Sequence, residues 1–238
     1  MTQILLIRHA VNDIMKAKKL AGRMPGVHLN DEGRQQAEAV AERLRELPIK
    51  AVYSSPLDRT RETAAPLAAA LGVDVIMRDG LLEVEYGEWT DRPLEELSKL
   101  DAWKVVQLYP SGMRFPGGET MRGMQARIIN ELETIASDHP RDIVAVFSHA
   151  DVIKAALAHY LGMHFDLFQR ISIDPTSVSV VALSPYGPRV VRVNDNGPLK
   201  LEPEKEQTAE PPQIGGVAAD AATEAPAEAA ESSAAASS

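Results

Sequence analysis

Apolar positions along the chain follow two periods in turn. Short unbroken runs at Gln3–Arg8, Ala51–Ser54, Val73–Met77 and Ile143–Phe147 predict buried strands, and Val178–Leu183 and Arg189–Val193 predict two more. Between the runs the spacing becomes helical. Ala37, Val40, Ala41, Leu44 and Leu47 form one stripe behind the turn-forming Asn30-Asp31-Glu32-Gly33. Leu57–Leu71 forms a second, with Ala64, Leu67, Ala68 and Leu71 on one face and Gly72 as its stop; Pro66 inside it is expected to bend the helix or move its start. Arg92–Tyr109 reads as one or two short helices. Met121, Met124, Ile128, Leu132 and Ile135 mark a longer one, and Val152, Ile153, Ala156, Leu157, Tyr160 and Leu161 mark another, ended by Gly162. This alternation predicts an α/β fold with a mostly parallel central sheet.

Ligands of open α/β sheets bind beyond the carboxyl ends of the strands. Two of the predicted strands run straight into a histidine: Ile4–Ile7 into Arg8-His9-Ala10, and Ile143–Phe147 into Ser148-His149-Ala150. The two imidazoles are therefore expected at one rim of the sheet.

Composition narrows the chemistry. Among 238 residues there is no cysteine, which excludes disulfides, thiolate metal sites and cysteine nucleophiles and fits a reducing compartment. The most apolar stretch, Ala64–Met77, is too short to cross a bilayer and contains Asp74. Ile4–Ile7 is too short for a secretory signal, so a cytoplasmic protein is expected. The net charge of −9 is concentrated after residue 201, where eight acidic side chains accompany only Lys205, leaving a balance near −2 for residues 1–201. Nucleic acid is not an expected partner, and neither is a membrane. Residues 1–201 are expected to form one domain, and 202–238, rich in Ala, Pro, Glu and Ser, to be a disordered acidic tail.

A phosphate monoester is doubly charged near neutral pH. Its transfer needs charge neutralisation, an in-line nucleophile and an acid for the leaving oxygen. Arginine suits the first task through its planar donor fork, and neutral histidine the second. Arg8 adjoins His9. Arg59 lies at the start of the second helix, where anions are favoured, in Ser54-Ser55-Pro56-Leu57-Asp58-Arg59-Thr60-Arg61. Glu83 and Glu85 follow the third strand in Leu82–Trp89 and are candidate acids; alternation along an extended segment puts both on one face and does not choose between them.

Taken in order, Leu6-Ile7-Arg8-His9, Leu29–Ala37, Ser54–Ala64, Leu82–Trp89, Phe115–Thr120 and Phe147-Ser148-His149 resemble the histidine phosphatase superfamily, which includes phosphoglycerate mutases and many small-molecule phosphatases; the resemblance covers residues 3–195. It implies a three-layer α/β/α, phosphoglycerate mutase-like fold and a phosphohistidine on His9. Arg8, Arg59 and His149 would hold the phosphoryl oxygens. Glu83 would serve as acid and then as base for water, and neither metal nor cofactor would be needed. The chain departs from the family pattern in three ways. Ala10 and Ala150 replace the usual glycines, Val11-Asn12 follows the first motif, and Asp151 follows the second. Asn12 is a candidate neutral phosphate donor, and Asp151 is expected to point away or to cap the next helix.

Plainer readings stand beside these. Arg59 and Arg61 also fit a solvated helix face, and Gly117-Gly118-Glu119-Thr120 fits a loop and helix cap as well as a contact to substrate. His28, His139, His159 and His164 lack metal-ligand spacing and read as structural or exposed, and Met121 and Met124 as core. The expected function is hydrolysis of a small phosphorylated metabolite. A phosphomutase is the alternative, disfavoured by the short segment between Glu83 and the helix near Gly118 compared with the insertion of the resembling mutases. A non-catalytic phospho-ligand binder is the third reading. Substrate selectivity is expected in the Leu94–Arg114 cap and the Ala10–Leu29 loop; self-association is left open.

Overall fold

Ile4–Ile7 has a side chain to bury on each side of its strand, and the computed structural model, which describes residues 1–197, places it in the sheet interior. Strand β1 (Thr2–Arg8) lies between β4 (Ile143–Ser148) and β5 (Val178–Ser184). With β2 (Ile49–Ser54), β3 (Val75–Met77) and β6 (Gly187–Asp195), the described residues form one six-stranded sheet of order β3-β2-β4-β1-β5-β6. The first four strands are parallel; β5 and β6 close that end as an antiparallel pair.

Side chains of a strand alternate between faces, and the core divides accordingly. Leu5 and Ile7 join Val52, Ala145 and Phe147 beneath α2 (Asp31–Leu44) and α3 (Asp58–Leu71). Ile4 and Leu6 join Tyr53, Val144 and Val146 beneath α6 (Met121–Asp138) and α7 (Ala150–Tyr160). The result is the three-layer α/β/α arrangement. Met121 and Met124 are fully buried in it, as expected.

Helix ends follow local chemistry. Asn30 caps α2 through Gly33 N–H, and Gly72 ends α3 at φ +67°. Of the two outcomes expected of Pro66, a moved start is not the one found: α3 runs from Asp58 through the proline. The neighbouring Ala64 and Leu67 are fully buried, and their packing outweighs one missing amide donor. Leu94–Leu97 and Asp101–Leu108 are the two short helices α4 and α5 of the cap. Val106, Met113 and Phe115 pack into the core, whereas Leu108 is exposed. No helix among the described residues is long and apolar enough to cross a membrane. The acidic tail expected over 202–238 lies outside the described residues.

Candidate active site

His9 leaves β1 and His149 leaves the adjacent β4, with Arg8 opposite Ser148 in the parallel register. The His9 amide donates to the Ser148 carbonyl at 3.0 Å, and the ring centroids are 5.2 Å apart. The carbonyl of Ala10 lies 2.8 Å from His9 Nδ1. That carbonyl can only accept, so Nδ1 carries the proton and Nε2 keeps its lone pair. Burial, reinforced by the charges of Arg59 and Arg8, holds His9 well below the usual histidine range, so its ring is neutral. His149 is lowered in the same way, by burial and then by Arg59 and His9.

Two guanidinium groups converge on the rings, and both are almost fully buried. Arg8 donates to the Ile173 carbonyl at 2.7 Å, with its other terminal nitrogen 3.8 Å from Met15 Sδ. Burial lowers Arg8 to about 10, opposed by the carboxylates of Glu83 and Asp151. Arg59, in the first turn of α3, donates to the Gly22 carbonyl at 2.7 Å and lies 3.3 Å from His149 Nδ1. Its Nε and second terminal nitrogen have no hydrogen-bond partner among the described residues. Asn12 caps α1 (Asp13–Lys16) through Oδ1, and its buried Nδ2 likewise has none. Buried donors of this kind cost about 1–3 kcal/mol each when unpaired. Their convergence describes a cradle for an anion.

Glu83 stands on the other side. Its Oε1 accepts from Val84 N–H at 2.9 Å, and its Oε2 is 3.8 Å from His149 Nδ1. Burial, then the charge of Asp151, raises the carboxyl to about 7 against the pull of Arg59. The structure therefore separates Glu83 from Glu85, which pairs with Arg23 at 3.4 Å and is 38% exposed. The expected common face fails because Leu82–Tyr86 is not a strand; it is irregular chain between two 3-10 turns. A cavity of about 20 Å³ lies between His9, Asn12, Gly22, Arg59, Glu83 and Tyr86. A surface groove of about 660 Å³ lies beside Thr2, Pro140 and Tyr160, at the opposite end of β1, and lacks that set of donors.

Asp151 departs from both expectations. It neither points away nor caps α7; it is fully buried and accepts from Tyr86 Oη at 3.0 Å, with Lys154 at 3.4 Å. Arg61 pairs with Asp58 at the surface. Thr120 caps α6 through Gly123 N–H, as the plainer reading of Gly117–Thr120 expects. Sequence reasoning left several neighbours of the site unassigned. Ser55 is 2.9 Å from His149 Nε2, Thr63 accepts from Ala10 N–H at 3.0 Å, and Arg23 and Arg127 bind the carbonyl of Glu83. Ser55 stood within a quoted motif; Arg23 and Arg127 stood in none.

A family model described as histidine phosphatase superfamily (branch 1) matches residues 4–196. The chain belongs to the histidine phosphatase superfamily. Within that superfamily it is 28% identical over 204 residues to phosphoserine phosphatase 1 of Hydrogenobacter thermophilus, covering 82% of this chain and 92% of that protein. It is 30% identical over 184 residues to a probable phosphoglycerate mutase GpmB of Erwinia tasmaniensis, covering 76% and 85% respectively. In three dimensions it resembles Bacillus stearothermophilus YhfR with a TM-score of 0.78 at 22% identity, over 83% of this chain and 98% of that one. This histidine phosphatase superfamily member thus has relatives named for hydrolysis and for mutase chemistry.

Proposed function

We propose that the chain is a phosphomonoesterase that acts on small phosphorylated metabolites through a phosphohistidine on His9. One observation carries the reading: a buried imidazole, whose Nδ1 is tied to the Ala10 carbonyl so that Nε2 keeps its lone pair, faces a second imidazole at 5.2 Å beside the buried guanidinium groups of Arg8 and Arg59. In the first step His9 Nε2 attacks phosphorus in line, the P–O ester bond breaks, and the leaving oxygen takes the proton of Glu83. A carboxyl near 7 holds that proton at neutral pH and releases it readily. In the second step the Glu83 carboxylate takes a proton from water, the hydroxide attacks phosphorus, and the P–N bond breaks. Inorganic phosphate leaves, with His9 neutral and Glu83 protonated again.

Arg8, Arg59, Asn12 Nδ2 and His149 stabilise the equatorial oxygens. Entry of a dianion would favour the charged form of His149, which is neutral without it. The two arginine charges do the neutralising work, so we propose metal-independent chemistry, in the cytoplasm for a chain without cysteine. The cavity fits little more than the phosphoryl group; the rest of the substrate would lie past Met15, Lys19 and Leu20. A mutase would use the same groups but return the phosphoryl to a substrate, and a relative named as a probable phosphoglycerate mutase keeps that reading under test.

Incubation with p-nitrophenyl phosphate in excess EDTA is expected to give turnover. A quench that avoids acid should trap labelled phosphate on His9 and none on His9→Ala. No turnover between pH 5 and 8, or a label on another residue, would sink the proposal. Supplying 3-phosphoglycerate with a bisphosphoglycerate primer tests the mutase alternative through isomer formation.

A further inference from the structure

Glu83 sits on chain with no regular backbone pairing of its own, yet its carboxyl has to be held in place. The fixing groups lie on its far side. Arg127, on the rigid helix α6, donates to the carbonyls of Gly80 at 2.9 Å, Leu82 at 2.8 Å and Glu83 at 3.4 Å. Arg23 Nε donates to the same Glu83 carbonyl at 2.8 Å. Glu119 Oε1 gathers Arg23 at 3.0 Å, Arg127 at 2.9 Å and the amide of Glu85 at 2.9 Å.

The backbone of the Phe115–Thr120 motif closes on the same loop. Glu119 N–H donates to the Glu85 carbonyl at 2.9 Å, and Glu88 N–H to that of Pro116 at 2.9 Å. Such contact needs glycine: a Cβ on Gly118 would lie 2.1 Å from the Glu85 oxygen, and one on Gly87 2.1 Å from the Pro116 oxygen. Arg23, Arg127 and Glu119 are mostly covered, and none of them lines the cavity between the histidines and Glu83.

We propose that Arg127 and Glu119 are positioning residues for proton transfer, fixing the Glu83 carboxyl beside His149 by clamping the three carbonyls of Gly80, Leu82 and Glu83. The proposal rests on Glu83 being the acid. Arg127 ties the loop to α6, and Glu119 orients Arg127 while holding the amide of Glu85. Charge-assisted bonds suit this task because they are shorter and stiffer than neutral ones. Displacement of a reacting group by an ångström costs on the order of a hundredfold in rate.

The experiment compares phenyl phosphate, a poor leaving group, with p-nitrophenyl phosphate, which needs little proton donation, using the full chain. Arg127→Gln is expected to lower kcat/KM, which reports P–O cleavage and not the later attack of water common to both esters, about ten- to a hundredfold on phenyl phosphate and less than about threefold on p-nitrophenyl phosphate. Added to Glu83→Gln, it should cost nothing further on either ester, because the group it positions is already gone. Equal losses on the two esters, or a full additional loss in the Glu83→Gln background, would overturn the positioning role. Should Arg127→Gln fail to fold, Glu119→Gln keeps the shape, removes the charge and is judged by the same criteria. If Glu83→Gln itself fails to discriminate between the esters, the acid assignment falls and takes this proposal with it; discrimination by Glu83→Gln but not by Arg127→Gln refutes positioning alone.

Discussion

Glu83, the acid of the proposed mechanism, would couple reactivity to stability in one side chain. Its carboxyl stands near 7 in the folded protein against an ordinary value of 4.5, chiefly because burial penalises the charge. Below the unfolded value both states are protonated and nothing is lost. Stability falls as pH rises through the folded value, because the native chain must then bury a carboxylate. Glu83→Gln should therefore leave the melting temperature unchanged near pH 4 and raise it at pH 8, by at most about 3 kcal/mol of stability. Thermal melts at the two pH values check this; a variant less stable at pH 8 would contradict it. Activity should respond in the same window. The kcat/KM for phenyl phosphate should decline as pH rises through about 7 while that for p-nitrophenyl phosphate declines less, as pH–rate profiles would reveal.

Among the elements, the strands and long helices were legible because each carries one periodicity with a clear stop, as α3 does at Gly72. Both histidines were readable for the same reason: a buried strand delivers the next residue to the sheet rim. Leu82–Tyr86 was not readable. Its alternating Glu83 and Glu85 imitate a strand, while its real conformation comes from Arg127 and Glu119, 44 and 34 positions beyond the residues they hold. Asp151 was misjudged because an acid beside an anion site looks unfavourable in sequence, and its phenol partner Tyr86 lies 65 positions away. Gly118 tests how tightly these elements fit. Its missing Cβ lets the backbone of Glu85 approach, so Gly118→Ala should cost roughly 2 kcal/mol or more by overpacking. Chemical denaturation is the measurement, and a change below a few tenths of a kcal/mol would mean that the loops separate easily.

For the molecule as a whole, the two neutral histidines set an acid limit. Both are held well below 6.5 by burial and by neighbouring arginines. Once pH falls below that unfolded value, the unfolded chain gains protons that the native chain refuses, and stability drops. Glu83 acts in the opposite direction over the same range, so the test is made in Glu83→Gln: its melting temperature should fall between pH 7.5 and 5.5, and the fall should be shallower when His149→Gln is added; an unchanged slope would exclude this source of acid sensitivity. The two rings hang from neighbouring strands locked in register, with the His9 amide hydrogen-bonded to the Ser148 carbonyl. Their spacing is thus a repeat distance of the sheet rather than an adjustment made by loops. Rim segments other than those that carry Asn12, Arg59 and Glu83 can accordingly be lengthened, shortened or recoloured to fit new molecules without moving the paired imidazoles, which makes this architecture a ready starting point for altered selectivity.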